Sequence, residues 1–221
     1  MLPIGDDNSS RRIVPLVTYA LLVLNILFYF VELSGGDAFV MKWAFVPSRF
    51  LANPIGDSLT LFTSMFMHGG WLHLGSNMLY LWIFGDNVED SMGHGRFLLF
   101  YLIGGLVASL AHIFTNPASQ IPTVGASGAI AAVLGAYLVL YPNSKVLTII
   151  PLGFFLRMTM LPAAFVLGLW FVLQLFSGVI SMGGPDVGGV AFWAHIGGFV
   201  AGVILAKIFA KKRYADTIVR W

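Results

Sequence analysis

Three segments that lie far apart in the sequence carry side chains that could do chemistry together. The first contains His73 and Asn77, the second Ser127 and the third His195. A serine hydroxyl is a weak nucleophile until a neighbouring base takes its proton, and a neutral imidazole can do this near pH 7. No acidic residue lies near His195 within its apolar segment, so the residue types predict a Ser–His dyad and not a triad.

The residues around Ser127 favour the same chemistry. The hydroxyl lies between Gly125 and Gly128, which keep it accessible and leave room for a substrate backbone. If a helix begins here, the free N–H groups of its first turn would stabilise a negatively charged oxygen. His73 and Asn77 are four residues apart, so they share one helical face and could add side-chain donors to such an oxyanion hole.

Each of these residues also has an ordinary structural explanation. Ser127 could simply cap a helix, and His195 could be a packing histidine with satisfied hydrogen bonds. His73 and Asn77 could hydrogen-bond between helices. His112 lies near another helix end and competes with His195 for the role of base.

The elements that must position these residues are membrane helices. The chain of 221 residues is 58% hydrophobic and 10% charged, with a mean hydropathy of +0.86, whereas a soluble domain carries about 25% charged residues. A membrane crossing takes about 20 apolar residues per helix. The candidate segments, of which the second and fourth are short, are 13–33, 71–85, 97–115, 126–141, 161–180 and 191–210.

Residues 146–160 form a further apolar stretch that is harder to place. Pro151, Gly153 and Arg157 interrupt it, so we expect it to lie at the membrane interface, before the last pair of helices. A seventh crossing at this position is the less favoured alternative.

Basic residues indicate the orientation of the bundle. With six crossings, all of the 12 Lys and Arg residues except Lys42 and Arg49 fall on one side, and an excess of positive charge marks the cytoplasmic side. Both termini are therefore predicted to be cytoplasmic, with the four candidate residues near the outer face. We expect the N-terminal apolar segment to be an anchor and not a cleaved signal peptide.

Small residues predict which helices meet. His195, Gly198 and Gly202 have the spacing i, i+3 and i+7 and therefore lie on one stripe of a helix. Glycine on such a stripe lets another backbone approach closely. The segment that begins at Ser127 offers a matching surface, formed by Gly128, Ala132, Gly135 and Ala136. We expect these two helices to pack together and bring His195 to Ser127.

At these residues the sequence resembles the rhomboid family of intramembrane serine proteases, over nearly the whole chain. The motifs that carry the resemblance are HxxxN from His73 to Asn77, GxSG from Gly125 to Gly128 and AHxxGxxxG from Ala194 to Gly202. The implied fold is an all-α polytopic membrane protein, a rhomboid-like bundle of six transmembrane helices with both termini in the cytoplasm. We expect one domain, 1–221, with cytoplasmic tails at 1–12 and 211–221.

The resemblance implies a role for each candidate residue. Ser127 would be the nucleophile and His195 the general base. His73 and Asn77 would stabilise the oxyanion, together with the backbone N–H of Ser127. The supporting positions would be His68, Gly125, Gly128, Gly198 and Gly202. The implied reaction is hydrolysis of a peptide bond in or near a transmembrane segment of a membrane protein, through an acyl-enzyme.

The resemblance also implies a setting for this reaction. The partners would be transmembrane protein substrates and membrane lipids, without nucleic acid, and the reaction would use neither a metal nor another cofactor. The protein would be a multi-pass integral protein of the cytoplasmic membrane of a prokaryote, with its active site open to the outer face. The glycine-rich loop 181–190 would act as a lid over Ser127.

Two positions outside the motifs bear on the resemblance. Glu89 matches an acidic position of the family with a structural role. Many members carry a Trp-Arg pair in the long first loop, whereas this chain has Leu59-Thr60 at about that place. We therefore expect this loop to be anchored differently.

Other classes of protein fit the sequence less well. The metalloprotease motif HExxH is absent from it, and an aspartyl intramembrane protease needs two membrane aspartates, whereas Asp86 at a helix end has no second one. A transporter would show paired broken helices in matching halves. The remaining alternative is a non-catalytic rhomboid-like protein that binds membrane clients without cutting them, which would lack Ser127 or His195.

Overall fold

The computed structural model describes residues 1–9, 11–153, 155–182 and 190–211. Within these ranges, six long helices overlap the six predicted segments, and two short α-helices and a 3-10 helix (Ser64–Phe66) lie between the first and second of them. In chain order the helices are α1 (Leu16–Trp43), α2 (Pro47–Ala52), α3 (Thr60–Thr63), α4 (Trp71–Met92), α5 (His94–Thr115), α6 (Ser127–Leu140), α7 (Ala163–Ser181) and α8 (Phe192–Phe209).

Four of the described helices, α1, α5, α7 and α8, are long and apolar enough to cross a membrane. Helix α6 has 14 residues and is therefore roughly 21 Å long, which is shorter than a hydrocarbon core of about 30 Å. Helix α4 ends in the polar sequence GDNVEDSM. The protein is thus a mostly helical integral membrane protein, and membrane crossing by α4 and α6 stays a prediction.

The connection between α1 and α4 is held by Arg49. Its guanidinium pairs with Asp57 at 2.5 Å and donates to the carbonyl oxygens of Met41 and Ala44, at the end of α1. The hydroxyl of Thr60 donates to the carbonyl oxygen of Asp57 at 2.6 Å. The loop that lacks a Trp-Arg pair is therefore anchored by a different arginine, which bridges α1 and the turn before α3.

Helix α6 lies at the centre of the bundle. Most of its residues are buried, and it packs against α4, α5, α7 and α8. A Cβ atom at Gly198 of α8 would collide with the carbonyl oxygen of Gly128, and one at Gly202 would collide with that of Ala132. The predicted contact between these two helices through small residues is therefore confirmed.

The prediction of an all-α fold is too narrow, because the structure also contains a three-stranded antiparallel sheet. Its strands, in spatial order, are β1 (Leu2–Asp6), β2 (Lys145–Leu152) and β3 (Phe155–Pro162). β1 falls within the stretch predicted as an N-terminal tail.

Residues 146–160, predicted to lie at the interface, form most of the hairpin of β2 and β3. The hairpin bends next to Gly153, whose φ of +60° favours glycine. A seventh helical crossing here is therefore wrong, because β-branched residues such as Val146 and Thr148 favour a strand and Pro151 would interrupt a helix.

The buried carboxylate of Glu89 ties the start of α1 to α4. It accepts hydrogen bonds from the backbone N–H groups of Val17 and Thr18 and from the Thr18 hydroxyl, at 2.6 to 2.9 Å. The ring of His94 lies 2.5 Å from the same carboxylate. Glu89 thus satisfies N–H groups at the first turn of α1, where a helix has no internal partners for them.

Asp6 ties the sheet to the helix bundle. Its carboxylate accepts hydrogen bonds from Asn87 of α4 and from the Tyr137 hydroxyl of α6, both at 2.6 Å. Burial is the main cause that raises the pKa of Asp6 to about 6, and the nearby charge of Asp86 adds to it. The ionised form of Asp6 is therefore less favourable in the folded protein than in the unfolded chain.

We expect this carboxylate to make stability depend on pH. The contribution of Asp6 to the free energy of unfolding is full below about pH 4 and falls as the pH rises through about 6, by at most about 3 kcal/mol. Asp6→Asn keeps an acceptor but cannot ionise, so its melting temperature should fall less between pH 4.5 and 7.5 than that of the unmodified protein. Asp37→Asn, at an exposed position of α1, is the matched control. Equal slopes for the Asp6 variant and the unmodified protein would contradict the prediction.

Candidate active site

Ser127 begins α6 directly after a tight turn at Gly125. Gly125 has a φ of +133°, a conformation that L side chains rarely adopt, and a Cβ atom there would lie 2.8 Å from the ring of His73. The backbone N–H of Gly125 donates to the carbonyl oxygen of Ser64 at 2.9 Å. The glycine next to Ala126 is therefore required by the backbone conformation and by the close approach of His73.

The hydroxyl of Ser127 faces the ring of His195. The distance from Oγ to Nε2 is 2.7 Å, although the two residues are 68 positions apart in the sequence. His195 lies in the first turn of α8, and the glycine contact between α6 and α8 places that turn beside the start of α6. The two residues chosen from the sequence are therefore within hydrogen-bonding distance.

Gln174 of α7 contacts the other nitrogen of the same ring. Its Oε1 lies 2.8 Å from Nδ1 of His195. The sequence by itself indicates only an interfacial or interhelical polar group at Gln174 and does not identify His195 as its partner. The signal that could have found it is a lone amide in an otherwise apolar helix, because such groups in membrane segments need a partner.

His73 approaches the turn before Ser127 from α4. The backbone N–H of Gly69 points at Nδ1 of His73, at 3.3 Å. A backbone N–H can only donate, so Nδ1 is the acceptor and the proton of the neutral ring is on Nε2. Since the ring edge with Nε2 faces Gly125, His73 presents a donor toward the start of α6.

Asn77 lies one turn further along α4 and is 6% exposed. Among the described residues, its Nδ2 has no hydrogen-bond partner. A buried donor without a partner costs free energy, so this amide is available to a ligand in the cavity that it lines.

His68 lies outside the helices, and its ring makes an edge contact with the ring of His73. It is 1% exposed, and its ring centroid lies 5.2 Å from that of His73 and 6.4 Å from that of Tyr29. Its backbone N–H donates to Glu32 at 2.9 Å. Burial, with a smaller effect of His73, lowers the pKa of His68 to about 4, so its ring is neutral at pH 7.

Ser127, His195, His73 and Asn77 line one cavity of about 1170 Å³. The lining also includes Trp170 and Gln174 of α7 and polar groups at the end of α5, among them His112. The side chain of His112 lies 3.4 Å from that of Asn116, whereas the hydroxyl of Ser127 is bonded to His195. The competing base therefore lies in the cavity wall, and His195 is the histidine that contacts Ser127.

Two expectations concern a lid over the site and a metal ion within it. Most of the predicted lid, 181–190, lies outside the described residues, at 183–189. In the described part of the chain, His, Asp and Glu side chains form no group of three that could hold a metal ion.

Comparison with known proteins identifies similar chains. The family model "Rhomboid domain" matches residues 56–212. The chain is 38% identical over 128 residues to "Rhomboid protease GluP" of Bacillus subtilis, a match that covers 56% of this chain and 24% of the relative. It is 30% identical over 136 residues to "Rhomboid protein 1, mitochondrial" of Saccharomyces cerevisiae, covering 59% and 38%. It is 34% identical over 153 residues to "RHOMBOID-like protein 5" of Arabidopsis thaliana, covering 69% and 44%. The matches therefore span less than half of the length of each of these relatives.

Proposed function

The chain belongs to the rhomboid family, and we propose that it is an intramembrane serine endopeptidase that works through Ser127 and His195. Its substrates would be membrane proteins that are cut in or near a transmembrane segment. The observation that carries this proposal is the 2.7 Å contact between Oγ of Ser127 and Nε2 of His195 on the wall of a large cavity.

The first step of the proposed reaction is attack by Ser127 on the scissile carbonyl carbon. The hydroxyl donates its proton to Nε2 of His195 as Oγ forms the new bond. The carbonyl oxygen becomes an oxyanion, and three donors are available for it: Nε2–H of His73, the unpartnered Nδ2 of Asn77 and the backbone N–H of Ser127. Preorganised donors of this kind stabilise the transition state more than the ground state.

The second half of the reaction returns the protons. The imidazolium of His195 gives its proton to the leaving amine, and the acyl-enzyme remains on Ser127. A water molecule then attacks the ester, His195 takes one of its protons, and the released carboxyl end leaves Ser127 with its hydroxyl restored. Water would reach the ester along the polar part of the cavity lining, where the end of α5 contributes His112, Thr115 and Asn116.

The cavity is large enough for a segment of polypeptide. Its volume of about 1170 Å³ exceeds the range of roughly 300–1,000 Å³ that is usual for small-molecule sites. A transmembrane helix must unwind before Ser127 can reach a peptide bond, because helical carbonyls are hydrogen-bonded and shielded by side chains. We therefore expect helix-breaking and small residues near the cut.

The proposed orientation opens the site to the outer face of the cytoplasmic membrane of a prokaryote. Ser127 and His195 lie at the starts of α6 and α8, and the basic residues near the other ends of these helices are the charge excess expected on the cytoplasmic side. Lipid would surround the apolar helix faces, and we treat the whole chain, 1–221, as one membrane domain.

A membrane-impermeant fluorophosphonate tests the chemistry and the orientation together. We expect it to label the protein on intact bacterial cells, because the activated hydroxyl of Ser127 would be reachable from outside. Labelling that appears only after the membrane is opened would overturn the orientation. A folded protein that is labelled under neither condition would contradict the nucleophile and favour the non-catalytic client-binding alternative.

A further inference from the structure

We propose that Gln174 is a positioning residue, which sets the tautomer and the ring orientation of the general base His195. This role rests on the proposed function. It would make the catalytic unit a linear arrangement of three side chains from three helices, with Ser127 on α6, His195 on α8 and Gln174 on α7. A neutral amide would stand at the place where a soluble serine hydrolase has a carboxylate.

The geometry determines which nitrogen carries the proton. A neutral imidazole has one N–H and one lone pair. Oε1 of Gln174 is an acceptor only, and it lies 2.8 Å from Nδ1 of His195, so this contact requires the proton on Nδ1. The lone pair is then on Nε2, 2.7 Å from Oγ of Ser127. Only this tautomer can accept the serine proton.

The opposite tautomer would be inactive. If the ring carried its proton on Nε2, that N–H would point at Ser127 and could not act as a base. Without an acceptor at Nδ1, both tautomers of His195 would compete. Gln174 therefore raises the fraction of the protein in which Ser127 has a base.

An amide suits this position better than a carboxylate does. His195 lies within a membrane bundle, where an ionised side chain is costly unless it is paired. The amide oxygen accepts from Nδ1–H in the resting state and from the imidazolium during catalysis, without carrying a charge of its own.

Trp170, one turn before Gln174 on α7, contacts the same ring. Its ring centroid lies 6.1 Å from that of His195, with 33° between the planes. Residues i and i+4 share one face of a helix, so α7 contacts His195 twice, once at a nitrogen and once beside the ring. These two contacts restrict rotation of the imidazole.

The test is the rate of fluorophosphonate labelling of the purified full chain in lipid, with kinact and KI determined separately. Gln174→Met keeps the length of the side chain and removes the acceptor, so we expect kinact to fall roughly 10- to 100-fold, with KI changed by less than about twofold. Gln120→Met is the matched control, because Gln120 is exposed in the connection between α5 and α6. It should label like the unmodified protein.

Two further substitutions separate positioning from packing. At pH 8, Gln174→Glu should label at least roughly tenfold faster than Gln174→Met, because a carboxyl group keeps an acceptor oxygen for Nδ1–H whether or not it is ionised. Gln174→Asn carries the same amide on a shorter side chain, so it should not recover the rate. Melting temperatures identify any variant that is misfolded, and the comparison of the Glu and Asn variants then decides the role.

The outcomes distinguish this inference from the proposed function. If the unmodified protein is labelled and Gln174→Met is labelled equally fast, Gln174 has no positioning role and the Ser–His chemistry stands. Equal losses in the Met, Glu and Asn variants, with KI raised, would also overturn it in favour of packing. A folded unmodified protein that is not labelled would overturn the proposed function and the role of Gln174 with it.

Discussion

Ser127→Ala is expected to abolish cleavage and fluorophosphonate labelling while the protein stays folded. The substitution removes one oxygen atom, and with it the hydrogen bond between α6 and the proposed base, from Oγ to Nε2 of His195. Without a nucleophile no acyl-enzyme can form, so we expect the rate to fall by at least about 10⁴-fold. The oxyanion donors and the cavity remain, and they account for any residual activity.

The measurement combines cleavage of a single-span membrane protein with a melting curve on the same preparation. Ser91→Ala is the matched control, because Ser91 lies buried at the polar end of α4 and its hydroxyl donates to the carbonyl oxygen of Val88. It changes the same atoms far from the cavity and should retain activity. Cleavage by Ser127→Ala at a rate near that of the unmodified protein would rule out Ser127 as the nucleophile.

Gly198→Ala is expected to move Ser127 and His195 of the candidate site apart. A Cβ atom at Gly198 would collide with the carbonyl oxygen of Gly128, one residue after Ser127, so α6 and α8 must move apart. Overpacking of this kind costs about 1–3 kcal/mol, and a displacement of about 1 Å at a catalytic group can lower the rate about 100-fold. We therefore expect a lower melting temperature and a loss of activity on the order of 100-fold.

Two other glycines provide the comparison. A Cβ atom at Gly168 of α7 would meet nothing within 4 Å, so Gly168→Ala should leave activity and melting unchanged or slightly improved. Gly202→Ala collides with the carbonyl oxygen of Ala132, one turn further from His195, so it should destabilise the protein with a smaller effect on the rate. If Gly198→Ala melts and cleaves like Gly168→Ala, the close contact of α6 and α8 does not position the site.

The sequence alone predicted the positions of the long helices well, because membrane helices are long apolar runs. It also predicted that α6 and α8 meet, since the glycines of α8 and the small residues of α6 recur at helical spacing. It did not predict the β-hairpin, or the second helical segment of α1, which follows the non-helical Gly36 (φ +57°) and ends at Trp43. Residues 146–160 are mostly apolar, and an apolar run without helical or alternating polarity does not distinguish a strand from an interfacial segment.

Residue types and spacing in the sequence are sufficient to predict the chemistry proposed for the candidate site. Polar side chains are costly in apolar segments, so each of these residues is conspicuous in the sequence. They are the hydroxyl of Ser127 between glycines, the histidines His73 and His195, and Asn77 four residues after His73. Ser127 and His195 could be paired because the small residues that follow each of them predict a close helix contact. His112 could not be dismissed from the sequence, because spacing along one helix does not show which way its side chain faces another helix.

Only the tertiary structure shows which side chains surround His195. Gln174 lies 21 positions before His195 on a different helix, and no spacing rule connects residues on α7 and α8. The same holds for Nε2–H of His73, whose direction depends on the backbone N–H of Gly69, and for Asp6, which meets Tyr137 across 131 positions. A sequence pattern reports which face of an element a residue occupies, whereas hydrogen bonds between elements depend on the distance and rotation of those elements, and packing of the whole chain sets both.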